Sequence, residues 1–302
     1  MAENSESTRA ETFQLFQSIE DKPNFGGLGF FDSPEILPPP PCVEVLSSEV
    51  STSVKYTVEK IDLGFVTLFK GRVSTQEVFA LSDSDLVPGK YEGGLKLWEG
   101  SLDLVKALQL EIEKGHFSFE GKRVLELGCG HGLPGIFACL KGSAAVHFQD
   151  FNEEVLKCLT IPNLNANQPS GTSFSDSCEI RFFAGDWNEV NNILPHAHTD
   201  SKSSASSDNA VMAGYDVILM AETVYSITTL PSLYGLIKKC VSSPTGVVYM
   251  AAKKHYFGVG GGSRRFLSIV EKDGLLAAGL IAEVADGSSN VREVWKLSYK
   301  QQ

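Results

Sequence analysis

"VLELGCGHGLPG", residues 124–135, decides the fold. An apolar run with a single acid, Glu126, meets glycines at 128, 130, 132 and 135. Such a stretch makes a strand that turns abruptly into a helix. Pro134 suits the helix's first turn, and Gly142 suits the position past its end. Glycine allows a sharp turn and a close approach of backbone to a ligand. The helix beyond presents unpaired N–H groups at the same place.

Outward from this turn the pattern repeats. Strands are expected at 122–128 ("KRVLELG"), 144–150 ("AAVHFQD"), 179–186 ("EIRFFAGD"), 215–222 ("YDVILMAE") and 246–253 ("GVVYMAAK"). Helices are expected at 133–142, 153–167, 230–240 and 263–275. Near-continuous apolar strands that alternate with helices imply a mostly parallel sheet covered on both faces. Residues 281–299 hold two strands around "DGSSN", a link short enough to force antiparallel pairing. The fold class is therefore α/β. It is a Rossmann-like, doubly wound, mostly parallel seven-stranded sheet with an antiparallel C-terminal hairpin. Upstream, 53–59 ("SVKYTVE") and 64–70 ("GFVTLFK") are β-branched and aromatic and form a small N-terminal β extension.

The domain boundaries follow. Residues 1–50, rich in Ser, Glu and Pro with "PPPP" at 38–41, are expected to be a disordered tail. Residues 51–90 form the β extension and 91–302 the main domain, with a Ser-rich disordered insertion at about 195–213. His196 and His198 in that insertion lack partner ligands at zinc spacing, so no metal site is expected.

Composition narrows the function. The 302 residues are 42% hydrophobic and 21% charged, with a formal net charge of -11. An acidic chain without a Lys/Arg stripe argues against nucleic-acid binding and suits a small molecule or a basic protein partner. Cysteines 42, 129, 139, 158, 178 and 240 show no C-x-x-C spacing and read as reduced structural thiols. The N-terminus has no apolar signal core, and the longest apolar stretch, 274–285, falls short of the ~20 residues of a membrane span. A soluble, monomeric, cytoplasmic and/or nuclear protein is expected.

Two cofactors use turns of this kind. Gly130-x-Gly132-x-x-Gly135 matches the dinucleotide fingerprint. Glu126-x-Gly128-x-Gly130-x-Gly132 matches the pattern of S-adenosylmethionine enzymes. Asp150, ending the second strand, can accept from ribose hydroxyls in either case. The surroundings favour S-adenosylmethionine. Asp186 ends the third strand, where it can accept from an adenine amino group or cap the next helix. Trp187 can cover the ring, and the antiparallel hairpin suits a methyltransferase sheet. A hydride-transferring enzyme would need a catalytic Tyr-x-x-x-Lys, or a His paired with an acid, placed for hydride transfer, and no clear instance of either is so placed.

"YEGGLKLWEGSLDLV" (91–105), "VLELGCGHGLPG", "QDFN" (149–152), "AETVY" (221–225) and "KHYFGVGGG" (254–262) resemble the protein-histidine N-methyltransferase family over about residues 54–300. That family belongs to the seven-stranded S-adenosylmethionine enzymes and methylates a ring nitrogen of one histidine in a large-subunit ribosomal protein. The resemblance implies that Trp98 lies by the methionine end of the cofactor. Gly128 and Gly130 would line it, Asp150 would hold the ribose and Trp187 would flank the adenine. The candidate cofactor set is completed by Glu126, Gly132, Phe151, Asn152, Asp186 and Ala221. Glu222 and Tyr225 correspond to the acid and tyrosine at the acceptor side, with "GVGGG" as a close-approach loop. Family members often read Trp-Glu-Cys where this chain has Trp98-Glu99-Gly100.

Glu222 is expected to accept from one ring N–H of the acceptor histidine, fixing its tautomer, while Tyr225 closes the site. His131 is expected to leave the turn toward solvent. Lysine methylation, or a non-catalytic cofactor-binding role in ribosome assembly, are the alternatives.

Overall fold

The computed structural model describes residues 39–82, 84–197, 214–285 and 291–300. Its strands are β1 (Val43–Val45), β2 (Thr57–Asp62), β3 (Thr67–Arg72), β4 (Arg123–Leu127), β5 (Ala145–Asp150), β6 (Glu179–Ala184), β7 (Val217–Ala221), β8 (Val247–Lys253), β9 (Leu276–Ala285) and β10 (Val291–Tyr299). The helices are α1 (Thr75–Phe79), α2 (Glu99–Glu113), α3 (Leu133–Leu140), α4 (Glu153–Val155), α5 (Ile161–Ala166), α6 (Leu230–Cys240) and α7 (Ser263–Asp273). A π turn, Leu156–Thr160, joins α4 to α5 just before Pro162, which cannot complete an ordinary helical bond.

The main sheet has the order β1-β6-β5-β4-β7-β8-β10-β9. β4, β5, β6, β7 and β8 run parallel, and β10 is antiparallel to both β8 and β9. Alternate residues feed opposite faces, as the strand period of two requires. Val124, Val217, Leu219, Tyr249 and Ala251 pack against α2 and α3. Leu125, Leu127, Ile218, Met220, Val248 and Met250 pack against α6 and α7. The chain proceeds from β4 to β5 on one side and resumes at β7 on the other. The crevice opens where that order reverses, beyond the carboxyl ends of the central strands.

The seven strands expected in the main domain are present, including the antiparallel C-terminal pair, in which β10 lies between β8 and the edge strand β9. The sheet has one strand more than expected. β1 adds an eighth strand, antiparallel to β6, with Val43 opposite Ala184. It lies within the span expected to be tail. Val45 is buried, and Arg181 grips Glu44 through Nε–Oε1 at 2.7 Å and Nη2–Oε2 at 2.6 Å. Residues 1–38, most of the Ser-rich insertion (198–213) and "DGSSN" (286–290) lie outside the described residues.

The β2–β3 hairpin is tied to α5 by two asparagines. Asn163 Oδ1 accepts from Tyr56 Oη at 2.8 Å and from the Gly71 N–H at 2.6 Å. Asn167 both accepts from and donates to the Phe69 backbone. Asn163 Nδ2 also donates to the His131 carbonyl at 2.9 Å, so the extension braces the glycine turn.

Candidate active site

The turn after β4 needs its glycines for two distinct reasons. Gly128 has φ 59° and Gly130 φ 48°, backbone that L side chains adopt at a cost. Space is also lacking. A Cβ on Gly128 would sit 2.7 Å from Thr223 Cγ2, and one on Gly130 would sit 2.9 Å from the Gly94 carbonyl oxygen. The turn is thus pressed between the loop after β7 and the loop 91–98.

Asp150 ends β5 beneath this turn. Its Oδ2 accepts from the Gly130 N–H at 2.9 Å and its Oδ1 from the Asn152 N–H at 3.1 Å. Burial pushes its pKa up to about 6 against the pull of these backbone N–H groups, and the charge of Glu92 adds to the rise. A carboxylate has about four acceptor positions, so lone pairs remain for a ligand's hydroxyls. The neighbouring Gln149 is a hub. Its Oε1 accepts from Trp187 Nε1 at 3.0 Å and from the Gly128 N–H at 3.3 Å, and its Nε2 donates to the Gly185 carbonyl at 2.9 Å. The indole of Trp187 is thereby fixed relative to the glycine turn.

The opposite wall comes from the loop 91–98 and the strand ends beyond β7 and β8. Trp98 Nε1 donates to the Gly93 carbonyl at 3.0 Å, with Lys96 Nζ 4.6 Å from the ring centroid. The Tyr225 hydroxyl donates to Glu92 Oε2, which joins two loops across the cleft mouth. Burial first, and then the Glu92 charge, hold that phenol far above its usual pKa.

Glu222 occupies the most constrained position. Its φ is 59°, one of only two positive values at non-glycine positions among the described residues. The Tyr256 hydroxyl donates to its Oε2. Its Oε1 is buried without a hydrogen-bond partner. The Gly100 backbone lies near enough to favour the charged form without completing a bond. Burial raises the Glu222 pKa, and the Tyr256 bond, Lys253 and Arg292 counter it. Strain held at a non-glycine residue, with an orphaned buried acceptor, is a signature of a functional position. Gly100 is matched to it, because a Cβ there would lie 2.6 Å from Oε1.

These elements surround a cleft whose empty space, its open mouth included, is about 770 Å³. Trp98, Gly128, Gly130, Asp150, Phe151, Asp186, Trp187, Ala221, Glu222 and Tyr225 all line it. Three expected residues lie behind the wall. Glu126 is buried and accepts from the Gly135 N–H at 2.8 Å, bracing the start of α3. Gly132 is the N-cap of α3. Asn152 clamps the loop 91–98, donating to the Lys90 carbonyl at 2.8 Å and accepting from the Glu92 N–H at 3.1 Å. Asp186 spends its Oδ1 on Asn188 in a local turn and does not cap the next helical turn, Val190–Asn192, whose N-cap is Glu189.

His131 does not leave the turn. It is buried, with Nε2 3.2 Å from the Leu95 carbonyl, and burial brings its pKa down to about 4. Glu92, Gln149, Thr223 and Tyr256 were not singled out from the sequence. All four stand inside the quoted motifs, which is the only signal that could have found them.

A family model described as lysine methyltransferase matches residues 88–273. The histidine protein methyltransferase 1 homolog of Dictyostelium discoideum is 39% identical over 220 residues, 73% of this chain and 62% of that one. The homolog of Rattus norvegicus is 33% identical over 258 residues, 80% of this chain and 65% of that one. The chain thus spans just under two thirds of the length of these curated relatives.

S-adenosylmethionine, the donor of such methyltransferases, suits the residues present. Side chains are missing where Gly128 and Gly130 face the cleft. Asp150 keeps acceptor capacity for a ribose, and Trp187 offers a fixed ring face.

Proposed function

We propose that this chain, which belongs to the protein methyltransferase family described as lysine methyltransferase, transfers a methyl group from S-adenosylmethionine to a ring nitrogen of a histidine in a protein. The observation that carries the histidine reading is Glu222, a strained and buried acid that lines the cleft and holds one unpartnered oxygen. The relatives named above bear histidine protein methyltransferase names, which supports the same acceptor.

The cofactor supplies a sulfonium-activated methyl, so the protein's task is positioning and exclusion of water. Gly128 and Gly130 would leave room for it, Asp150 would hold its ribose, Trp187 would flank its adenine, and Trp98 would lie toward its methionine end. A histidine acceptor, with an ordinary pKa near ~6.5, is mostly neutral at pH 7 and has one free lone pair. Its second nitrogen carries the proton. Glu222 Oε1 accepts from that N–H, which turns the lone pair toward the methyl. Tyr256 holds the other oxygen of Glu222, so the carboxyl cannot rotate away. The methylated ring is transiently cationic, and the Glu222 carboxylate opposes that charge. Tyr225 and Glu92 close the mouth above. A lysine acceptor, at ~10.4, would need to lose a proton first. The description of the family model keeps lysine as the second reading.

Ile227, Phe257 and Val259 are exposed beside the acceptor side, and the net charge of -11 suits a basic partner. A large-subunit ribosomal protein, met in the cytoplasm or nucleus, is the proposed substrate. Turnover of Glu222→Ala, set beside its cofactor affinity by calorimetry, tests the assignment. Lost transfer with unchanged affinity is expected. Full turnover with unchanged affinity would remove Glu222 from the mechanism.

A further inference from the structure

Away from the cleft, the first half of β5 carries His147, 0% exposed. It lies three residues before Asp150, about 10 Å along the strand. Its Nδ1 is 2.8 Å from the Tyr215 hydroxyl. Its Nε2 is buried with no hydrogen-bond partner. A buried ring nitrogen left without a partner is costly and calls for an explanation.

Two further ligand types converge on that nitrogen. Glu179, at the start of β6, brings Oε1 to 3.8 Å from Nε2. His196, in the segment after β6, stacks on His147 with ring centroids 5.5 Å apart and planes 6° from parallel. One ligand atom from each of His147, Glu179 and His196 lies within 4.8 Å of the others. Tetrahedral ligands at zinc distances stand about 3.4 Å apart. Closing the gap takes rotation of Glu179, whose side chain is 54% exposed, and a turn of the partly exposed His196 ring out of its stacked plane, because an imidazole lone pair lies in the plane of its ring.

We propose that His147 Nε2, His196 and Glu179 form a divalent transition-metal site of the zinc type, which pins the segment after β6 to the edge of β5. Two imidazoles and one carboxylate are a familiar zinc set that leaves a fourth position for water. Magnesium and calcium are disfavoured, because they select oxygen ligands. Tyr215 plays the supporting part common to metal-bound histidines. By accepting from Nδ1–H it leaves the Nε2 lone pair facing the ion. Two arginines stand nearby, and both are engaged with acids. Arg123 pairs with Asp216, while Arg181 pairs with Glu44 and also stands 3.9 Å from Glu179 Oε1, so Glu179 turns away from Arg181 to reach the ion. His198 lies outside the described residues and has no part in the site. Sequence spacing could not reveal it, because the three ligands are 32 and 17 residues apart and meet only through the β5–β6 pairing.

The test uses the full chain, free of any affinity tag and dialysed against a chelator, titrated with Zn²⁺ by calorimetry and with Co²⁺ by visible absorption. One Zn²⁺ per chain, a raised melting temperature and Co²⁺ bands without thiolate charge transfer are expected. Glu179→Gln and His196→Gln, both at partly exposed positions, should remain folded and lose the binding. Tyr215→Phe should weaken it about 10- to 100-fold. No binding, binding that survives both of the exposed substitutions, or thiolate bands from the cysteines would overturn the site. None of these outcomes depends on the methyl-transfer reading.

Discussion

Glu126→Gln removes an ionisation while keeping the shape of the side chain. Glu126 is 2% exposed beneath the glycine turn, and its Oε2 accepts from the Gly135 N–H. Burial pushes its pKa up to about 8, the Asp150 charge adding to the rise and the Gly135 N–H opposing it. In the unfolded chain the same carboxyl titrates near ~4.3. The folded state therefore keeps a proton that the unfolded chain has already lost. Stability from this group is complete below the unfolded value, declines as pH rises, and levels off above the folded value. Between pH 6 and pH 8 the linkage relation gives a loss of about 2 kcal/mol in the wild type that the Glu126→Gln protein cannot show. Asp150, also raised, contributes to both proteins and cancels in the difference. Denaturant unfolding of both proteins across this range measures the two slopes. Any constant offset reports the amide's own packing and is irrelevant. Parallel curves would refute the reasoning, for they would mean that the acid is already ionised and that α3 starts from a wet, not a dry, turn.

Four further outcomes follow from the same geometry. Gly130→Ala adds left-handed strain of about 1–2 kcal/mol and a Cβ 2.9 Å from the Gly94 carbonyl. Calorimetry should show cofactor affinity at least about tenfold weaker. Cofactor affinity should also fall as pH drops through about 6, because protonated Asp150 loses acceptor capacity. The trend should flatten in Asp150→Asn, measured the same way. Gly100→Ala must displace Glu222 and should lower turnover while leaving cofactor affinity intact. Arg292→Met strands Asp103, which is buried and bonded to Arg292 Nε at 2.6 Å. Breaking such a pair costs about 3–5 kcal/mol, which thermal unfolding would register.

Much of the fold could be read because parallel strands covered on both faces must be largely apolar: β7 is so throughout and β8 up to Lys253, while β4 and β5 keep the pattern apart from Arg123, Glu126, His147, Gln149 and Asp150. α2 escaped notice because two acids, Asp103 and Glu111, sit on its buried face and break the apolar period. Their partners, Arg292 and Lys296, arrive from β10 at the far end of the chain. β1 is three residues long, follows a proline run, and is held by a partner strand that no local pattern reveals.

In the site, the placement of Gly128, Gly130 and Asp150 at the cleft was legible because backbone conformation and strand position fix it. Glu126 shares their motif but braces the helix, a distinction that spacing alone cannot make. His131 was misjudged because loops usually face solvent, whereas this turn is roofed by the loop 91–98. The Tyr225–Glu92 and Tyr256–Glu222 contacts join segments far apart in sequence, so only the folded chain brings them together.

The central claim concerns the acceptor. Incubation of the pure protein with methyl-labelled S-adenosylmethionine and unmodified large-subunit ribosomal proteins, followed by mass spectrometry of the labelled peptide, addresses it directly. The account predicts label on one histidine of one basic protein, absent with Glu222→Ala. Label on a lysine, or on the same histidine at full yield with Glu222→Ala, would contradict it.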